Sequence, residues 1–281
     1  MSLVMLHLPV SQRRLLASGR EHGLVRDAWS VDQGYLLHAL FARLFGEAAP
    51  KPFDIQDGPS PGGDRLPVLA YSALAHHALA ALAGPAGEAA AAVDWQAAGS
   101  RVLPGFTAGQ RLGFRLRACP VVRIGRHHPR FEPGAEVDPY VALIQRHLAE
   151  ALQDAPDAAA AEVQRIKHGI VAGQPSREAV YQDWLAARIG GAATIEAARV
   201  SGLRDARLWR KGMPGEGAAA TMQGRARPTR AGRAALGRRE AVFEGVLRVA
   251  DPHAFATLLA RGVGRHRGFG FGMLLLRPPA A

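Results

Sequence analysis

The 281-residue chain is 48% hydrophobic, and its 35 Lys and Arg residues against 24 Asp and Glu give a net charge of +11. Its single cysteine, Cys119, excludes an intrachain disulfide and a zinc site of the Cys-x-x-Cys type. No run of about 18 apolar residues and no apolar signal-peptide segment is present, so we expect a cytoplasmic protein without a membrane span. The excess of cations favours a polyanionic partner, nucleic acid or an acidic membrane surface, although a generally basic proteome would also explain it.

Residues 1–108 predict the element order β-α-β-β-α-β. An apolar run at 3–10 forms the first strand, and apolar residues at helical spacing follow Asp32, a good N-cap, up to Gly46. The later elements are two strands, an alanine-rich helix or low-complexity segment, and a last strand, with the strands in KPFDIQD, RLPVLAYS and VDWQAAGSRVLP. This order is ferredoxin-like, an arrangement that RNA-binding RRM domains also use.

Residues 109–281 predict a second unit of the same kind. RLGFRLRA at 111–118 alternates between apolar residues and arginines, which is typical of a half-buried strand. Helical patterns follow within a predicted insertion at about 126–190, and strand patterns return in ATIEAARVSGL, ARLWRK and FEGVLRV. A helix capped by Asp251 and a strand in GFGMLLLRP close the chain. The predicted fold class is α+β, with two tandem ferredoxin-like (RRM-like) domains and a helical insertion in the second.

Two basic segments are candidates for contact with RNA phosphates. The outer face of the 111–118 strand is either a solvated face or an anion-binding one, and its cations are Arg111, Arg115 and Arg117. The stretch 204–239 combines ten Lys or Arg residues with two acids and frequent Gly and Pro, which predicts a long hairpin or a mobile loop. This stretch is either an RNA-contacting hairpin or a disordered basic loop, and its candidate contacts are Arg225, Arg227, Arg230, Arg233, Arg238 and Arg239.

A third segment, GVGRHRGFGFG at 262–272, lies between a predicted helix and a predicted strand. Glycine-rich loops that bind dinucleotides or ATP follow a strand and open a helix, so the order here disfavours both. The glycines allow close approach of the backbone to anionic oxygens, and three basic side chains could neutralise phosphate. The candidate contacts are Gly264, Arg265, His266, Arg267 and Gly268. The alternative is a loop whose glycines permit close packing of the two domains.

The glycine-rich segment also matches the G-h-G-x5-G-h-G pattern of the RAMP superfamily of CRISPR proteins, in which h is apolar. Further blocks in the same order along the chain resemble the CasE family of CRISPR repeat-processing endoribonucleases, namely DAWSVDQGYLLHALFARLF, RLGFRLRACPVVR and FEGVLRVADPHAFATLLARG. The resemblance implies two ferredoxin-like domains that bind a hairpin in the CRISPR repeat RNA. It also implies metal-independent cleavage at the 3′ base of that hairpin, in which a 2′-hydroxyl attacks the adjacent phosphate and leaves a cyclic phosphate.

The family's catalytic histidine lies on its first helix, one turn after a tyrosine, and these positions match His38 and Tyr35. An i, i+3 pair projects to one side of a helix, and an imidazole can exchange a proton near neutral pH. Without the resemblance, a histidine in an apolar helix is more often structural. The long arginine-rich stretch and the insertion resemble divergent type IV processing nucleases, in which arginines take over catalytic work. Arg26 is therefore a third catalytic candidate, with Arg20 and Arg239 in reserve.

The partners that the resemblance implies are precursor CRISPR RNA, the mature crRNA and other subunits of a CRISPR effector complex. It implies no cofactor, metal, membrane or small-molecule substrate. One alternative is a catalytically silent RAMP-type subunit that binds and caps guide RNA, and another is a basic RNA-binding protein of unrelated origin. Because Tyr35 and His38 are both present, the sequence favours the nuclease.

Overall fold

The computed structural model describes residues 3–25, 31–56, 63–84, 87–155, 157–211 and 233–279, with side chains omitted at 206–211 and 233–238. Four of the predicted site residues lie outside the described residues: Arg26, Arg225, Arg227 and Arg230. The described chain forms two four-stranded antiparallel sheets with helices packed on them. The predicted fold class, α+β with two tandem ferredoxin-like domains, is confirmed. The predicted division into residues 1–108 and 109–281 stays a prediction.

The first sheet has the strand order β2-β3-β1-β4, and every neighbouring pair is antiparallel. Its strands are β1 Val4–Ser11, β2 Phe53–Ile55, β3 Arg65–Ser72 and β4 Gly99–Val102. Its helices are α1 Gln12–Glu21, α2 Gln33–Phe45, α3 His76–Ala83 and α4 Gly87–Ala90, with a 3₁₀ turn at Gly46–Ala48. The strands β1 and β3 are therefore central in this sheet, and β2 and β4 form its two edges.

The helix α2 begins and ends where the sequence predicts. Asp32 Oδ1 accepts a hydrogen bond from the Tyr35 amide at 3.0 Å, and Gly46 follows the helix with φ of 55°. The apolar stripe of α2 is buried against the inward face of β1, in a core that contains Leu6, Leu8, Leu37, Leu40, Phe41 and Leu44. The opposite side of α2 is exposed and includes His38 and Arg43.

The helix α1 was not predicted from the sequence, which indicates only a polar, basic stretch after the first strand. Ser11, the last residue of β1, caps the helix by accepting a hydrogen bond from the Arg14 amide. Only Leu15 and Gly19 are buried on α1 and most of its other residues are polar, so its composition resembles that of a surface stretch. The predicted catalytic helix is consequently the second helix of the chain and not the first.

The second sheet has the strand order β10-β5-β9-β8, again with antiparallel neighbours. Its strands are β5 Arg111–Ala118, β8 Ala193–Lys211, β9 Arg233–Val249 and β10 Leu274–Arg277. Between β5 and β8 lie a short hairpin of β6 Val122–Arg123 and β7 Glu136–Val137, then α5 Pro139–Gln153, α6 Ala160–Gly173 and α7 Arg177–Ile189. The helix α8, Pro252–Arg261, connects β9 to the glycine-rich segment.

The predicted insertion contains two kinds of helix. The helix α7 packs on the second sheet, where Tyr181, Leu185 and Ile189 are buried with Phe243, so it takes the place of a regular ferredoxin-like helix. In contrast, α6 has no buried residue, and it packs against α5. The added helices are therefore α5 and α6, and not the whole of 126–190.

The arginine-rich stretch begins as a pair of strands. The strands β8 and β9 pair continuously from Ala193 and Val249 at the sheet to Lys211 and Arg233, with two register shifts along the way. The backbone of Arg238 lies in this ladder opposite Ala206. The cationic segment 204–211 thus continues a strand of the second sheet, and so do residues 233–239.

The two domains contact each other along the edge where β10 lies. The Tyr71 hydroxyl, from β3, donates a hydrogen bond to the carbonyl oxygen of Leu274 at 2.8 Å, and this tyrosine is buried among core residues of the second domain. Burial raises the pKa of the Tyr71 hydroxyl above its usual range, so it stays a protonated donor. No helix within the described ranges is long and apolar enough to cross a membrane.

Candidate functional site

Two segments from opposite ends of the chain meet at the domain junction. One is α2, which places Tyr35 and His38 on the same side, one turn apart. The other is the glycine-rich loop, residues 262–272, which contains a 3₁₀ turn at Arg267–Phe269. The Phe269 ring lies 4.8 Å from the His38 ring and 6.1 Å from the Tyr35 ring, centroid to centroid. The candidate catalytic pair therefore lies against the candidate phosphate-binding loop.

The glycine-rich loop is anchored to the second sheet at its base. The Val263 amide donates to the Gly272 carbonyl oxygen at 2.8 Å and closes the loop. The Gly272 amide in turn donates to the carbonyl oxygen of Arg117, at the end of β5, at 2.7 Å. Between these contacts His266 adopts a left-handed conformation with φ of 60°, an uncommon state for a residue with a side chain. The loop therefore has a defined shape that presents the 3₁₀ turn to α2.

Two glycines allow the loop and the helix to approach each other. A Cβ atom on Gly34, in the first turn of α2, would lie 2.1 Å from the Phe269 carbonyl oxygen. A Cβ atom on Gly268 would lie 3.1 Å from His38 Nδ1. The interpretation that the loop glycines permit close packing of the two domains thus describes Gly268, whereas Gly264 packs within the second domain, against the Trp184 ring of α7. Contact between RNA and these loop glycines stays a prediction.

Replacing Gly34 by alanine is expected to destabilise the protein by about 1–3 kcal/mol, because the added methyl group overlaps the loop backbone and cannot be accommodated by a side-chain rotation. Gly169 in α6 is the matched control, since a Cβ atom there meets no atom within 4 Å. Alanine at 169 should instead raise stability by about 0.5–1 kcal/mol through helix propensity. Urea unfolding of both variants measures the difference, and equal stabilities would contradict the close approach.

The environment of His38 favours its neutral form. More than a third of the residue surface is open to solvent, yet the ring lies against Gly268 and Phe269. This partial burial lowers the pKa of His38 below its ordinary value of 6.5, and the positive charge of Lys51 lowers it further. At neutral pH the imidazole is therefore mostly unprotonated and able to accept a proton.

The basic side chains of the loop occupy two different settings. Arg265 and His266 both face Glu136 of β7, with Arg265 Nε 2.6 Å from one carboxylate oxygen and His266 Nε2 3.4 Å from the other. Arg267 donates to the carbonyl oxygen of Arg261. Burial lowers the pKa of Arg267, and the nearby charges of Arg261 and Arg265 lower it further. An anion placed beside Arg267 would relieve this repulsion between cations.

The sequence predicted an outer face of β5 that is either solvated or anion-binding, and the structure places two of its three arginines, Arg115 and Arg117, against the first domain instead. Arg115 Nη1 donates to Asp54 Oδ2 at 3.1 Å, and Arg117 Nη2 donates to the Ile55 carbonyl oxygen at 3.0 Å. Arg117 Nε also lies 3.4 Å from Asp54 Oδ1 and 3.6 Å from Glu240 Oε1. Because β2 of the first domain brings Asp54 to this face, Arg115 and Arg117 lie between the two domains, in a cluster completed by Asp54 and Glu240.

The remaining predicted residues lie away from Phe269 or are described only in part. Arg111 pairs with Glu196 at 2.8 Å on the second sheet, and Arg239 pairs with Asp205 at 3.1 Å at the base of the β8–β9 hairpin. Arg20 is exposed on α1. For Arg233 and Arg238 the structure describes only the backbone. Contact between these residues and RNA stays a prediction.

Sequence reasoning missed four residues that shape the site: Phe269, Lys51, Glu136 and Asp54. Phe269 lies inside the G-h-G-x5-G-h-G segment, and its position between two glycines was the one signal that could have marked it. The other three act across long sequence separations, which no local pattern records. Within the described residues, no group of three or more His, Cys, Asp or Glu residues is arranged to hold a metal ion.

Comparison with solved structures supports the fold. Two structures, A and B, of the CRISPR endoribonuclease Cse3 bound to 19 nt RNA match 99% of this chain and 100% of their own, each with a TM-score of 0.51, at 16% and 17% identity. The CRISPR-associated protein Cas6e from Escherichia coli str. K-12 is 20% identical over 98% of this chain and 99% of its own, with a TM-score of 0.46. At these identities the likeness concerns the fold. No curated protein matches the chain.

A match to a protein family covers nearly the whole chain. Residues 3–278 match the family described as CRISPR associated protein. The matched range includes both sheets, α2 and the glycine-rich loop, so it contains every part of the site at the domain junction. It confirms the CRISPR resemblance that the sequence blocks indicated, and the protein therefore belongs to the CRISPR-associated protein family.

Proposed function

We propose that this protein is a metal-independent endoribonuclease that cleaves precursor CRISPR RNA at the base of the repeat hairpin and keeps the mature crRNA as a subunit of an effector complex. The observation that carries the proposal is the meeting of Tyr35, His38 and the glycine-rich loop at one junction. The fold shared with an endoribonuclease solved with a 19 nt RNA supports RNA as the ligand, as does the net charge of +11. Retention in an effector complex rests on the family resemblance.

The proposed reaction is a transesterification within the RNA. The 2′-oxygen attacks the adjacent phosphorus, the bond from phosphorus to the 5′-oxygen breaks, and the products are a 2′,3′-cyclic phosphate and a 5′-hydroxyl. We assign His38 as the base that accepts the 2′-hydroxyl proton, because its lowered pKa keeps it neutral at pH 7. Tyr35, one turn earlier on the same side of α2, is the proposed donor of a proton to the 5′-oxygen.

Cations around this pair would stabilise the negative charge that develops on the phosphorane. Lys51 is one candidate, since its charge already acts on His38. Arg267 is another, because it precedes Gly268, the residue in contact with His38, and lies near other cations. Arg26, outside the described residues, also stays a candidate for this role.

The arginine-rich hairpin is the proposed RNA-binding element outside the catalytic centre. Its strands β8 and β9 extend the second sheet, and the segment they lead into contains Arg225, Arg227 and Arg230. Arginine pairs with phosphate and with guanine through two parallel hydrogen bonds. Because the major groove of A-form RNA is too narrow for side chains to read, we place this contact at the open base of the repeat hairpin.

The proposal is tested by incubating the protein, in EDTA, with the repeat RNA of its own genome and analysing the RNA ends. We expect one cut, with a cyclic phosphate on the 5′ fragment. A matched RNA with a 2′-deoxynucleotide at the mapped cut position should bind equally well and stay intact. Tight binding without any cleavage would favour the silent RNA-capping subunit, and neither binding nor cleavage would overturn both functions.

The pH dependence of cleavage follows from the direction of the His38 shift. A base must be unprotonated, so kcat/KM should rise as pH increases through the pKa of His38 in the free protein and then become flat. Because that pKa is lowered, the rise should be centred below pH 6.5. Single-turnover rates between pH 4.5 and 8 measure this when the protein is subsaturating, so that they report kcat/KM, with RNA binding checked at each pH. A rise centred above 6.5 would contradict the assignment of His38.

A further inference from the structure

Phe269 touches both members of the proposed catalytic pair from the opposite domain. Its ring lies 4.8 Å from the His38 ring at an angle of 42°, and its plane is within 4° of the Tyr35 plane at 6.1 Å. These distances are within the range of favourable aromatic contacts. Phe269 itself is partly buried and has no group that can transfer a proton. Its contribution to the site is therefore the place and environment of its two neighbours.

The backbone holds Phe269 in this position from several directions. Its carbonyl group lies over Gly34, where α2 has no side chain. Its amide donates to the carbonyl oxygen of His266 at 2.9 Å, which closes the 3₁₀ turn. Gly270 follows it in a left-handed conformation with φ of 85°. The backbone conformation therefore fixes where the Phe269 ring lies relative to α2. This position also depends on how the second domain docks on the first.

We propose that Phe269 is a positioning residue, which holds His38 and Tyr35 in the orientation needed for proton transfer and shields His38 from water. Both proton-transfer groups belong to the first domain, and the residue that orders them belongs to the second. The active site is therefore complete only when the two domains are docked. This inference rests on the proposed function for its effect on cleavage, but the contact with His38 can be measured without RNA.

The direction of the effect follows from what surrounds His38. Burial against the loop and the charge of Lys51 both lower its pKa, and Tyr35 is the titratable neighbour one turn away on α2. Removing the Phe269 ring exposes the imidazole to water but leaves Lys51 in place. The pKa of His38 should then rise toward 6.5, with the remaining depression due to Lys51.

The test is a titration of the imidazole nitrogens in the RNA-free protein by NMR, with the His38 signal assigned from its loss in His38→Gln. Phe269→Ala should raise the pKa of His38. Phe269→Leu, which keeps an apolar side chain, should raise it less. In the same variants kcat should fall on the order of 10-fold to 100-fold in Phe269→Ala, because misplaced groups lose effective concentration, with the Kd for RNA within about twofold of the wild type.

Phe131→Ala is the matched control. Phe131 contacts His128 with a centroid distance of 4.9 Å and the same 42° angle, in another part of the second domain. It should leave the His38 titration unchanged. An unchanged His38 titration and rate in folded Phe269→Ala would overturn the positioning role. A shifted titration in a protein that never cleaves RNA would support the contact and would place the failure with the proposed function instead.

Discussion

His38→Ala is expected to reduce the rate of RNA cleavage in EDTA by about 100-fold to 10,000-fold, the range that a general base contributes. Binding of the repeat RNA should change little, because a neutral imidazole has no charge to pair with phosphate. The side chain is exposed on α2 and is not part of the core beneath the helix, so the variant should fold normally. Single-turnover cleavage with saturating protein separates the chemical step from binding.

His168→Ala is the control for the loss of a histidine side chain. His168 is exposed on α6, a helix without a buried residue. The His168→Ala variant should therefore cleave the RNA at the wild-type rate. If His38→Ala retained most of its activity, the chemistry would belong to other groups. The arginine candidates Arg20, Arg26 and Arg239 would then be replaced one at a time.

Asp54→Ala is expected to lower the free energy of unfolding by about 3 kcal/mol, because it leaves two guanidinium groups at the domain junction without their shared carboxylate. Asp54 is 1% exposed and lies 3.1 Å from Arg115 and 3.4 Å from Arg117. Glu240 continues to face Arg117 in the variant, which places the expected loss at the lower end of the range for a broken buried ion pair. Urea unfolding monitored by tryptophan fluorescence measures the change.

Glu196→Ala provides the matched comparison on the surface. Glu196 also bridges two arginines, Arg111 at 2.8 Å and Arg248, but both guanidinium groups are half exposed to water. Hydration replaces the lost contact there, so the variant should lose much less stability than Asp54→Ala. Equal losses in the two variants would show that burial does not set the strength of the Asp54 cluster.

Most of the fold was accessible from local sequence patterns. The alternation in β5 and the capped apolar stripe of α2 each carry a complete signal within a dozen residues, and the structure confirms both. The helix α1 has Leu15 as its one large buried side chain among mostly polar residues, so its polar composition concealed a helix that Ser11 caps. The helix α7 was predicted correctly as a helix, but its place in the fold depends on packing against the second sheet, which its own residues do not encode.

The candidate site was accessible in a different way. Tyr35 and His38 were found through their resemblance to a family, and the glycine-rich loop through its own composition. Their contact was not predicted, because it depends on the docking of two domains and on a glycine at position 34 that looks ordinary within a helix. The strand arginines show the opposite case. Their alternation indicated an outer face, and Asp54, far away in sequence, covers that face in the folded protein.

The absence of a side chain at Gly34 has an evolutionary consequence. The Phe269 carbonyl oxygen occupies the space that a side chain at 34 would need, so position 34 is restricted to glycine while the loop backbone keeps this path. The residue allowed at this position of the first domain is therefore set by the backbone of a loop near the opposite end of the chain. Recombination that exchanged one half of this protein with that of a distant relative would preserve this contact only where α2 has glycine at 34 and the loop keeps its backbone path.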